Sequence, residues 1–207
     1  AQQLKRFRRR ETFSYHKLND AQAADRLLAQ SALLRQHPLN VIVINFIDIL
    51  SHARTESQMV RELASNEAAY RSITQSWFRH SGIRALFQCL KEMDTDIIIT
   101  TDHGSIRVDT PTKVIGDRNV NTNLRYKLGK NLNYPAREVF EVKNPKRFML
   151  PAPNISTTYI FALGSRFFAY PNNYNYYVQY YRNTFQHGGI SMEEMIIPLV
   201  TLRTKQR

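Results

Sequence analysis

The sequence predicts an α/β fold built on a mostly parallel central sheet, and three observations carry that expectation. Ile97, Ile98 and Ile99 form a continuous β-branched run, which suits a strand buried on both faces of a parallel sheet. Val41 to Ile47 is a second apolar run of strand character. Between the two lies a long helical block, the crossover that parallel strands require.

Length and composition narrow the class. The chain has 207 residues, of which 43% are hydrophobic, enough for one domain with a real core. No apolar run approaches the roughly 20 residues of a membrane span. The basic start, with Lys5, Arg6, Arg8, Arg9 and Arg10, is not followed by the apolar stretch and small-residue cleavage site of a secretory signal. Cys89 is the single cysteine, so an internal disulfide is excluded. It reads as a buried structural residue in a reducing compartment, most simply the cytoplasm. The formal net charge of +12 favours anionic partners: nucleotides, nucleic acid or acidic protein surfaces.

The elements follow in order. Thr12, Phe13, Ser14 and Tyr15 suggest a short strand. Asn19 is expected to cap a helix, with Gln22 at the position that reaches back. Leu27, Leu28, Leu33 and Leu34 give that helix its stripe, and His37-Pro38 ends it. After the Val41–Ile47 run, Met59, Leu63, Tyr70, Ile73 and Trp77 recur at helical spacings. Gly82 breaks the pattern, and Ile83, Leu86, Phe87, Leu90 and Met93 make a second stripe.

Beyond the isoleucine run, Ile106-Arg107-Val108 alternates like an exposed strand, and Pro111 separates it from Lys113-Val114-Ile115. Residues 117–136 are polar and asparagine-rich, and read as a long functional loop. Val139 to Val142 and Tyr159 to Leu163 read as further strands. The tyrosines at 176, 177, 180 and 181 read as packing against the sheet, with base stacking as the alternative. Ser191 with Glu194 is a capping-box pattern for a short helix. Pro198 stops it, and Leu199 to Leu202 reads as a last strand.

The chemistry-bearing residues sit at the ends of these elements. Ligands in open α/β sheets bind beyond the carboxyl ends of strands. Asp102 and His103 stand at the end of the isoleucine strand, and Gly104 follows, where a side chain would obstruct the turn. Asp48 stands at the end of the other apolar run. His52 comes four residues later, a spacing that puts both side chains on one face of a helical turn. His187 precedes Gly188 and Gly189, which permit close backbone approach. Carboxylates and imidazoles together are zinc-ligand types.

In that order, Asp48-x-x-x-His52, Thr101-Asp102-His103-Gly104 and His187-Gly188-Gly189-Ile190-Ser191-x-Glu193-Glu194 resemble the metal-ligand series of the alkaline phosphatase superfamily. The ending through Ile197-Pro198-Leu199 is similar to its PglZ domains, in particular those of response regulators of the type IX secretion system. The resemblance implies the C-terminal part of an alkaline-phosphatase-like three-layer sandwich, spanning residues 1–207. It implies a zinc-dependent phosphodiesterase with two Zn2+ ions: Asp48, His52 and His187 on one, Asp102 and His103 on the other. The substrate would be a cyclic or linear oligonucleotide, and the setting a cytoplasmic two-component protein, homodimeric when intact, with secretion-system partners and no membrane insertion. Arg125, in the polar loop, is the expected substrate contact, because its planar fork suits phosphate.

The family's nucleophilic threonine and first aspartate have no equivalent among residues 1–40, where Thr12 follows a basic run and Asp20 and Asp25 fit a helix start. No catalytic residue is therefore assigned in this chain. The nucleophile and a receiver domain are expected upstream, and residues 1–207 alone are expected to be inactive. The alternative reading is a non-catalytic module that uses the phosphatase scaffold for dimerisation or partner binding.

Overall fold

The computed structural model describes Arg6, Arg8 and residues 11–20, 22–116 and 121–203. Lys5, Arg9 and Arg10 of the basic start, and residues 117–120 of the polar stretch, lie outside the described residues. The chain forms two compact units. One runs through Ile98 and resumes at Thr201; the other is Ile99–Val200.

The first unit begins with β1 (Phe13–Leu18) and α1 (Ala23–Ala29), followed by a 3-10 turn at Ser31–Gln36 and β2 (Leu39–Ile44). β1 and β2 are parallel, with Phe13 opposite Leu39 and Leu18 opposite Ile44. Gln22, not Asn19, occupies the N-cap position of α1, and Asp20 Oδ1 accepts its N–H at 2.9 Å. Four helices follow: α2 (Phe46–Glu56), α3 (Gln58–Leu63), α4 (Glu67–His80) and α5 (Ile83–Lys91). Asn66 caps α4 by accepting from Ala69 N–H at 2.9 Å. The unit's core is Leu18, Ala23, Ala24, Leu27, Leu34, Ile83 and Leu86, with Trp77, Phe87 and Leu90 against it. The expected leucine stripe is split: α1 ends at Ala29, so Leu27 of α1, Leu34 of the 3-10 turn, and Ile83 and Leu86 of α5 bury into one cluster, whereas Leu33 is 43% exposed. Cys89 lies on α5, partly buried.

The chain leaves this unit within β3 (Ile97–Thr100) and returns to it within β11 (Leu199–Leu202), and these two strands pair with each other. Here the structure corrects the expectation of a strand buried on both faces. Ile98 is 64% exposed and Ile99 39% exposed. β3 has β11 as its partner, whereas β2 has β1, so the two apolar strands lie in separate ladders among the described residues.

The second unit is made of short strands. β4 (Ile106–Arg107) pairs antiparallel with β10 (Phe185–Gln186), and β5 (Thr110–Lys113) pairs parallel with β9 (Arg166–Ala169). β6 (Tyr126–Gly129), β8 (Thr158–Ala162) and β7 (Val139–Val142) form an antiparallel sheet with β8 in the middle. Two helices, α6 (Tyr174–Tyr181) and α7 (Met192–Met195), complete the unit. Two expectations are corrected. Pro111 does not separate strands but lies inside β5, which among the described residues pairs with β9 alone and so has an edge where a missing N–H is tolerated. Residues 117–136 are not all loop, since β6 lies within them and puts Lys127 opposite Ile160.

Val108, Phe167, Ala169 and Val178 form one apolar cluster, and Val114, Val139, Ile160, Ala162 and Phe168 another. Successive phenylalanines at 167 and 168 serve different clusters because strand side chains alternate between faces. Among the described residues no helix is long and apolar enough to cross a membrane.

Candidate metal centre

Asp48 and His52 lie in the first unit. The strand ends at Ile44, and α2 starts at Phe46, which places Asp48 in the first turn of the helix and His52 one turn on. This is the helical turn that the four-residue spacing requires. His52 Nε2 stands 3.6 Å from Asp48 Oδ1, and both side chains are more than half exposed. An acidic residue in the first turn also complements the helix dipole.

Asp102, His103 and His187 lie in the second unit. The first two occupy the bend after β3. Asp102 Oδ1 accepts the His103 backbone N–H at 3.1 Å and stands 3.7 Å from His103 Nε2. His103 Nδ1 lies 3.1 Å from the Gly104 carbonyl oxygen. Through that contact the backbone carbonyl can orient the imidazole, the arrangement used for metal-binding histidines. The rings of His103 and His187 are stacked, with centroids 4.0 Å apart and planes 10° from parallel.

The loops that carry these histidines are tied down by hydrogen bonds. Thr100 Oγ1 donates to the Pro198 carbonyl at 2.8 Å, and Gly104 N–H donates to the Glu194 carbonyl at 2.9 Å. A Cβ on Gly104 would run into the Glu193 carbonyl oxygen, so the requirement for glycine is close backbone approach and not a special turn. Gly188 has φ +99°, a conformation that L side chains rarely adopt. Asn123 Nδ2 donates to the His187 carbonyl at 3.2 Å, while Asn123 Oδ1 accepts from Arg125 N–H at 2.7 Å.

Arg125 is placed differently from the solvent-facing phosphate contact expected of it. It is 0% exposed, and its guanidinium is engaged by protein groups. Nε donates to Glu194 Oε1 at 3.0 Å, Nη2 to Glu194 Oε2 at 2.9 Å, and Nη1 to the Arg166 carbonyl. Glu194 also accepts from Gly189 N–H at 2.8 Å and from Ser191 N–H at 3.1 Å. The second of these is the glutamate arm of the capping box. Burial pushes the Glu194 carboxyl up, but the Arg125 fork, the Gly189 N–H and Ser191 outweigh it and hold the carboxyl below the usual glutamate range. From the sequence Glu194 reads as a cap within the His-Gly-Gly series, and nothing local singles out Asn123. The glutamate's place in the His-Gly-Gly series was the one available signal.

The donor set fits zinc. Two imidazoles share an open-sided stack with a carboxylate beside them, and His103 has its second nitrogen already oriented. The matching family model is described as the BREX system PglZ alkaline phosphatase-like domain, and it matches residues 2–202. No curated protein matches the chain. The match spans nearly the whole length and every candidate ligand, and the chain belongs to the PglZ family of alkaline-phosphatase-like domains.

Proposed function

We propose that this chain is part of a two-zinc phosphodiesterase acting on oligonucleotides, cyclic or linear. The observation that carries the reading is the parallel stack of His103 and His187. A zinc ion sits about 2.0–2.1 Å from an imidazole nitrogen, in the plane of the ring. An ion bound that way by one ring lies too far from the other ring to bind it as well. Each histidine therefore serves its own ion, and rings 4.0 Å apart suit the roughly 3.5–4 Å separation of two-metal sites. We assign Asp102 and His103 to one zinc, and His187, with Asp48 and His52, to the other, as the family's ligand order implies.

When bound, the two ions would activate a nucleophile, neutralise phosphate charge and stabilise the leaving oxygen. The chain's own contribution is orientation. Gly104 O fixes the His103 ring, Asn123 fixes the backbone of His187, and the +12 formal charge draws polyanions towards the protein. Asp102, with a side chain 87% exposed, and the half-open His103 edge leave room for substrate. We assign the attacking threonine to a stretch outside these residues and expect residues 1–207 alone to be inactive. The wider setting we infer is a cytoplasmic PorX-type response regulator controlling type IX secretion.

The test uses the intact protein: metal content by elemental analysis and turnover of an activated phosphodiester with added zinc. Asp102→Ala and His187→Ala should each lose one equivalent of zinc and reduce turnover by at least about 100-fold, the upper range for supporting residues and a lower bound for direct ligands. Wild-type turnover in either variant, or a wild-type protein that binds no zinc, refutes the reading.

A second reading draws on a separate observation. Leu199 and Val200 are 72% and 44% exposed, an apolar pair that solvent does not favour. It suits a protein interface, in keeping with a homodimer. Mass by light scattering checks this: a monomer at micromolar concentration, unchanged by Leu199→Asp, removes it.

A further inference from the structure

We propose that Arg125 and Glu194 form a positioning pair that sets the spacing of the two candidate metal-binding histidines. The inference rests on the two-metal reading above, to which it adds the groups that hold the ligands in register. Glu194 touches both histidine loops. Its carboxylate accepts from Gly189 N–H at 2.8 Å and Ser191 N–H at 3.1 Å, which fixes the backbone just after His187. Its backbone carbonyl accepts from Gly104 N–H at 2.9 Å, which fixes the backbone just after His103. One residue thus anchors the loops of both rings, and the rings stack at 4.0 Å.

A buried carboxylate stays charged only if a cation answers it. Arg125 does so bidentately, at 3.0 and 2.9 Å, with both side chains at 0–1% exposure. The geometry is specific to arginine, because two parallel N–H donors orient the carboxylate so that both oxygens still have lone pairs for Gly189 and Ser191. Arg125 is itself registered on the same loop through Asn123, whose Oδ1 accepts from Arg125 N–H at 2.7 Å and whose Nδ2 donates to His187 O at 3.2 Å. The fit is tight: a Cβ on Gly189 would lie 2.6 Å from Glu194 Oε2 and 3.0 Å from Arg125 Nε. That closeness gives the second glycine of the His-Gly-Gly motif a physical reason.

The test compares wild type, Glu194→Gln and Arg125→Lys in the intact protein. Glutamine keeps the shape but replaces one acceptor by a donor. Lysine keeps the charge but not the fork. Two readouts are taken. In metal-free protein, ring-current shifts of the His103 and His187 Hε1 protons report the stack directly. In cobalt-substituted protein, titration gives affinity and stoichiometry, and electron paramagnetic resonance reports spin coupling between close ions. Both variants should lose most of the mutual ring-current shift. Cobalt affinity should fall about 10–100-fold, the range for groups that orient ligands, and spin coupling should weaken while two equivalents still bind at high concentration. A thermal midpoint above the assay temperature establishes folding, and Arg125→Lys serves if Glu194→Gln does not fold. Wild-type ring shifts and coupling in a folded variant overturn the proposal. If wild type binds no cobalt but its ring shifts collapse in the variants, the positioning role stands and the two-metal reading fails.

Discussion

Replacing Arg125 with methionine should be among the most damaging single substitutions in the second unit. Methionine keeps a flexible, unbranched apolar stem but is shorter and supplies no donors. The change removes the two charge-assisted hydrogen bonds to Glu194, of 3.0 and 2.9 Å, together with the one to the Arg166 carbonyl, and leaves Glu194 buried at 1% side-chain exposure without its cation. Breaking a buried pair from one side costs about 3–5 kcal/mol, because the surviving charge has lost both water and partner. For a chain of this size that corresponds to a fall in Tm of roughly 6–20 °C.

The pH dependence gives the argument a sign. In wild type the Glu194 carboxyl is held below its ordinary 4.5, so its contribution to stability is present above that value and lost as pH falls through the depressed one. Without Arg125, burial dominates and the carboxyl titrates above its ordinary value. The variant then sheds its penalty on acidification, so the gap to wild type should narrow from pH 7 to pH 4. Adding Glu194→Gln to Arg125→Met should recover part of the loss, because the orphaned charge is gone. The assay is thermal unfolding by near-ultraviolet circular dichroism at both pH values. A Tm within 2 °C of wild type at pH 7, or a gap that widens on acidification, would refute the reasoning.

The remaining predictions concern other positions. Gly104→Ala forces a methyl group into the Glu193 carbonyl, so it should cost about 1–3 kcal/mol and weaken metal binding, checked by denaturant unfolding and zinc titration. Lys127 is 1% exposed, and burial lowers its ammonium from the ordinary 10.5 to about 8. Between those two pH values the unfolded chain holds more protons than the folded one, so this residue should make stability rise with pH across the window, by at most about 3 kcal/mol. Lys127→Met should flatten that rise relative to wild type in pH-dependent denaturation; an unchanged slope would count against it. His52→Ala should lower zinc stoichiometry by one equivalent at limiting metal and leave Tm within about 2 °C in metal-free protein, because the exposed side chain contributes little to packing.

Local patterns make much of the candidate site's local structure legible in the sequence. The Asp48 to His52 spacing called for a helical turn, and α2 supplies it. The Ser191 to Glu194 pattern called for a helix start, and α7 begins at Met192. The burial of Leu27, Ile83 and Leu86 was readable because amphipathic periodicity is written in neighbouring residues. The order of the ligand series carried the family, which the match over residues 2–202 bears out.

Other features were decided by groups far apart in the chain. Exposure of Ile98 and Ile99 depends on what lies against β3, and a β-branched run says only that a strand is favoured. The polar stretch around residue 125 looked like a surface loop because its apolar periodicity is weak. Yet β6 forms there against β8, and Arg125 is buried because Glu194 waits for it 69 positions away. The Asn123 bond to His187 spans 64 positions, and the stacking of His103 on His187 is likewise long-range. A side chain's type announces that it needs a partner. Which partner it finds depends on loop closures between distant segments, whose sum only the folded chain resolves.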